Sequence, residues 1–128
     1  LCLISPSSVI LKRELFETHG MFDEKLPVCE DYDLWLRLTF RYKVAFLNQK
    51  LMVRYGGHSD QLSKSAWGMD RYRVESIKKI LDNENLLPND FFAAKKVLFE
   101  KCKILINGFQ KRGNLKQAEY YKNIFNLY

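Results

Sequence analysis

Residues 28–38, VCEDYDLWLRL, set three carboxylates, Glu30, Asp31 and Asp33, directly ahead of the apolar residues Leu34, Trp35 and Leu38. The 34, 35, 38 spacing is helical, so the run from Glu30 to Tyr42 reads as a helix of about three turns with its acids in the first turn. Asp31-Tyr32-Asp33 has the DxD spacing of a cation-binding turn, but helical residues two apart point about 200° apart and cannot share one ion. Two readings of the acids remain open on the residues alone. A carboxylate at a helix N-terminus accepts backbone N–H bonds and faces the positive end of the dipole. The same restraint would hold a general base in the direction needed to take a proton from a hydroxyl.

The surrounding chain is that of an ordinary domain. It has 128 residues, 47% of them hydrophobic, enough to bury a core. It begins with Leu in an already apolar segment, LCLISPSSVIL, which predicts a piece of a longer protein. No basic leader precedes an apolar core, and no apolar run approaches the roughly twenty residues of a membrane span, so a soluble cytoplasmic protein is expected. Cys2, Cys29 and Cys102 lack ligand or disulfide spacing and read as reduced thiols, two of them buried. The net charge of +6 belongs to the second half: residues 1–63 balance eight basic against eight acidic residues, whereas residues 64–128 hold thirteen against seven. The basic residues alternate with acids along helical segments, as on a solvated face. A diphosphate or lipid surface would suit the charge equally well, while no motif supports nucleic-acid binding.

Along the chain, Ser8–Leu11 reads as a strand, Arg13–His19 as a short helix closed by Gly20, and Phe22 as a residue plugging the core. Val44–Leu47 and Leu51–Tyr55 read as two short strands joined by Asn48-Gln-Lys50, followed by the loop GGHSDQLSKS at 56–65. Helices are then expected over Trp67–Asn83, Asn89–Arg112 and Leu115–Leu127, the last two forming a hairpin about Arg112-Gly-Asn114.

SSVILKRELFETHGMFDEKLPVCEDYDLWLRL, then a strand pair, then RYGGHSDQLS resembles the C-terminal half of a family 2, GT-A fold glycosyltransferase, in the order G-x-F-D-E, E-D-x-D-L-W-x-R and a closing loop with Tyr and His. The resemblance covers residues 5–63, about half the chain. It implies an α/β fold, with few short strands in residues 1–63 as the acceptor-side part of the catalytic domain and residues 64–128 as a helical extension. It implies an inverting transfer of a sugar from a nucleotide-sugar donor to an acceptor hydroxyl, a glycan or lipid-linked, in bacterial-type surface glycan synthesis. Asp31 aligns with the catalytic base and Glu30 with its acceptor-side neighbour. His58 aligns with a loop histidine that reaches the metal or diphosphate, and Arg37, Gln61 and Ser63 fall where substrate is contacted. The plainer readings are a surface histidine for His58, an i, i+4 ion pair with Asp33 for Arg37, and turn hydrogen bonds for Gln61 and Ser63. The implied cofactor is a divalent cation, Mn or Mg, in the full-length enzyme.

The nucleotide-binding half that normally carries the ligating DxD is absent, so the fragment alone is expected to be inactive and to bind no cation. Peripheral association with the inner face of the membrane and a homodimer through an exposed sheet edge are compatible with this reading. The alternative is a non-catalytic interaction domain with a basic helical surface.

Overall fold

A computed structural model describes residues 4–53, 55, 67–83 and 85–128. The chain divides into two compact units, Leu1–Trp67 and Gly68–Tyr128. In the first unit a 3-10 turn at Pro6–Ser8 precedes α1 (Arg13–His19) and α2 (Glu30–Thr39). Leu34, Trp35 and Leu38 of α2 form its core, covered by Ile4, Val9, Leu11 and the Leu15–Phe16 face of α1. The Trp35 indole N–H donates to the Ile4 carbonyl at 2.9 Å, which ties the N-terminal segment to α2 while the ring stays buried.

α1 stops at Gly20, whose N–H donates to the Phe16 carbonyl. With φ 78° and ψ 166°, Gly20 occupies a backbone region that is essentially glycine's alone. A Cβ there would lie 3.8 Å from Arg37 Nη1, an ordinary contact, so the penalty is conformational rather than steric. Gly20→Ala is expected to cost about 1–3 kcal/mol, read as a lowered urea midpoint. An unchanged midpoint would show that the turn relaxes freely.

The α/β expectation is overturned: the described residues hold five helices and no strand. Where Ser8–Leu11 is expected as a strand, the Ser8 N–H and Oγ–H both turn back to the Ser5 carbonyl at 2.9 Å, and Ile10 stands fully exposed. Around the predicted strand pair, Gln49 N–H donates to the Leu47 carbonyl (2.8 Å) and Leu51 N–H to the Gln49 carbonyl (3.1 Å). Those tight local bonds replace a ladder, and Val44, Phe46, Leu47, Leu51 and Val53 are exposed. β-branched and aromatic residues favour extended backbone, but a strand exists only where a neighbour completes its hydrogen bonds. Residue 54 of the second predicted strand lies outside the described residues. Phe22, expected in the core, is instead exposed at 37%.

The second unit is a three-helix bundle of α3 (Asp70–Asn83), α4 (Pro88–Lys111) and α5 (Leu115–Leu127). α4 packs against both neighbours, and Tyr120 of α5 reaches Glu75 of α3 at 3.3 Å. The buried side chains of the bundle are Val74, Ile77 and Ile80 of α3, Leu98, Cys102, Leu105 and Phe109 of α4, and Ala118, Tyr121 and Ile124 of α5. The α4–α5 turn follows the spacing of its sequence. Asn114 N–H donates to the Phe109 carbonyl and Gly113 N–H to the Gln110 carbonyl, closing α4, with Gly113 at φ 71°. Asn114 also caps α5 by accepting the Gln117 N–H at 3.2 Å. Cys29 and Cys102 are buried thiols outside any disulfide, as expected. Burial pushes the Cys102 thiol up to about 11, against the nearby Lys78 charge, so this cysteine is a protonated core side chain.

Asp70 joins α3 to α4, accepting from Arg73 at 2.7 Å and Lys101 at 3.2 Å. Burial acts to raise its carboxyl, but the hydrogen bonds and charges of Arg73 and Lys101 outweigh that and hold it below the ordinary 3.8. A depressed folded-state value stabilises the bundle above 3.8, and that contribution disappears as the pH falls through the folded value. Asp70→Asn should therefore cost about 1–3 kcal/mol at neutral pH. The gap from wild type should close as the pH is lowered below 3.8 in circular-dichroism melts. A gap that persists in acid would mean packing, not charge, carries the effect.

Candidate functional site

The acidic cluster is built by the entry into α2. Cys29, the residue before the helix, sits in the left-handed region at φ 64°, ψ 21°, and its carbonyl accepts the Asp33 N–H at 3.1 Å. That conformation costs a residue with a Cβ about 1–2 kcal/mol, and the burial of Val28 and Cys29 holds it in place. Glu30, Asp31 and Asp33 all fall in the first turn, at the positive end of the helix dipole.

The two aspartates of the DxD then part company. Asp31 remains partly exposed, and its Oδ1 accepts the Tyr32 N–H at 2.7 Å, one of the donors a helix start leaves without an intrahelical partner. Asp33 is buried, and its Oδ2 accepts the Arg37 Nε–H at 2.9 Å. The i, i+4 ion pair predicted for Arg37 is present. Arg37 does more than the spacing reveals: Nη1 donates to the carbonyls of His19 and Gly20, and Nη2 to that of Met21 at 2.7 Å. The guanidinium thus collects carbonyls left open where α1 ends and clasps them to a buried carboxylate of α2. A second tie runs between His19 Nε2 and Tyr42 Oη at 2.8 Å, with the rings edge to face.

Glu30, Asp31 and Arg37 are therefore brought onto one short helix, while His58, Gln61 and Ser63 lie outside the described residues. Among the described residues no group of three His, Cys, Asp or Glu side chains could hold a metal ion, and Asp33 is committed to Arg37. The described residues do not fit a divalent cation site. Sequence reasoning missed the clasp because its carbonyl partners stand 16 to 18 positions from Arg37. The visible signal was the Asp33–Arg37 spacing beside a glycine-terminated helix.

The chain is similar to curated proteins named uncharacterized glycosyltransferases. That of Rickettsia conorii is 34% identical over 62 residues, covering 48% of this chain and 10% of the relative. That of Rickettsia bellii is 36% identical over 62 residues, covering 48% and 9%. That of Rickettsia typhi is 25% identical over 130 residues, covering 95% of this chain and 39% of the relative. The chain thus spans about a tenth of the length of the first two relatives. No protein-family model matches it, and no solved structure does. No helix among the described residues is long and apolar enough to cross a membrane.

Proposed function

We propose that this chain is the acceptor-side portion of an inverting glycosyltransferase of the family 2 kind, acting on a nucleotide-sugar donor and a glycan or lipid-linked acceptor in surface glycan synthesis. The observation that carries the reading is the similarity to proteins named glycosyltransferases, in a chain whose partly exposed Asp31 is held in direction by the Tyr32 N–H. In this reading the acceptor hydroxyl gives its proton to Asp31 as its oxygen bonds to the sugar C1. The bond from C1 to the diphosphate oxygen breaks, and the diphosphate leaves with the bonding electron pair. Glu30 borders the acceptor. Asp33 and Arg37 hold the turn that carries Asp31. No step is written through a cation; Mn or Mg, with His58, would belong to the complete donor site, and Gln61 and Ser63 to the substrate loop. Without that donor site the chain alone would bind acceptor without transferring sugar.

The test is sugar transfer by the longer enzyme that this reading requires, with Asp31 intact and as Asp31→Asn. Loss of transfer with donor binding retained supports the assignment. Wild-type turnover removes Asp31 from the chemistry and favours the rival, a non-catalytic interaction domain in which the acids only cap α2.

A further inference from the structure

Lys96, Lys103, Phe92 and Phe99 recur along α4 at spacings of three and four residues, which places them in one stripe. Roughly 120° round the same helix lies the buried seam of Leu98, Cys102, Leu105 and Phe109. Phe99 stacks on Phe125 of α5, with ring centroids 4.3 Å apart. Lys95 Nζ lies 5.4 Å from the Phe99 ring centre and Lys103 Nζ 5.9 Å from that of Phe125. Lysine stems lying along rings cover apolar surface while presenting their ammonium groups at its rim. Phe92 stands 66% exposed at one end of the stripe.

Three of the bundle's carboxylates are engaged away from this stripe, and Asp90 lies in the first turn of α4. Asp70 pairs with Arg73 and Lys101, Glu75 with Lys78, and Glu119 with Lys122, while Glu100 borders the stripe. This face presents Lys95, Lys96 and Lys103 against the single carboxylate of Glu100, interleaved with apolar rings.

We infer that the Phe92–Lys96–Phe99–Lys103 face of α4, extended by Lys95 and Phe125, docks on the surface of an anionic lipid bilayer. Charge complementarity selects an anionic partner, and the aromatic arrangement selects the lipid. Phe99 and Phe125 stack on each other with lysines over them, so they offer no open platform for a nucleic-acid base. The exposed Phe92 ring among lysines instead suits the boundary between headgroups and acyl chains. This inference rests on the second unit alone and stands apart from the transferase reading.

The experiment is co-sedimentation of the whole chain with phosphatidylcholine vesicles, with and without about 30% phosphatidylglycerol, at low and high salt. Each lysine near such a surface contributes about fivefold in affinity, so a net charge of about two, three lysines less Glu100, predicts about a twenty-five-fold preference for the anionic vesicles, falling with salt. Lys96→Glu with Lys103→Glu should remove at least about tenfold of that binding. Phe92→Ala should weaken the part that survives salt. Lys111→Glu with Lys116→Glu makes the same net change near the α4–α5 turn and should cost clearly less. Equal binding to both vesicle types, equal losses from the two charge reversals, or binding to RNA and heparin with none to vesicles would each overturn the inference.

Discussion

Arg37→Ala should lower the stability of the first unit by about 3–5 kcal/mol, because it leaves the buried Asp33 carboxylate without its cation. The cost arises on both sides of the clasp. Asp33 is 2% exposed and cannot recover hydration, and the carbonyls of His19, Gly20 and Met21 lose their common donor. The Arg37 side chain is itself only 19% exposed, so solvent screens the pair little. Urea unfolding followed by Trp35 fluorescence, in a Trp67→Phe background that leaves one tryptophan, measures the effect where it arises. Asp33→Ala and the double variant complete a cycle whose coupling should fall at about 1–3 kcal/mol. A loss below about 1 kcal/mol for Arg37→Ala would mean the pair behaves as an exposed ion pair and that the clasp is ornamental.

If Asp31 is the base of the proposed transfer, Asp31→Asn should have the opposite profile: a large loss of transfer in the longer enzyme and little change in stability. Removing a general base typically slows a reaction by about a hundredfold to ten-thousandfold. Asparagine keeps an oxygen that can accept the Tyr32 N–H, so the helix start loses only the charge–dipole part, about 0.3–1 kcal/mol. Pairing kcat with a melting curve separates catalysis from capping on this one residue. Asp33→Asn supplies the contrast, because it should lose stability first and activity only through disorder of the α2 turn. An Asp31→Asn enzyme with normal kcat would return Asp31 to a purely structural role.

Much of the helical architecture was legible because each helix carries its own signals. Gly20 and Gly113 mark ends where backbone with positive φ is needed, and Pro88 opens α4 at a position that tolerates a missing N–H. The 34, 35, 38 spacing placed the α2 core, and Arg13–His19 follows the predicted run, whereas α2 starts at Glu30 as expected but ends at Thr39, short of Tyr42. Strands carry no such autonomy. The apolar run at Val44–Leu47 encodes a preference for extended backbone, while the ladder that would make it a strand must come from another segment.

The acidic cluster divides along the same line. The sequence alone determined that three carboxylates share the first turn of α2 and that Asp31 and Asp33 cannot jointly ligate one ion, because helical geometry is local. Only the tertiary structure decided which aspartate is buried, and it did so through Arg37. The carbonyls Arg37 grips are close in space and distant along the chain, so that choice follows from how α1 packs on α2.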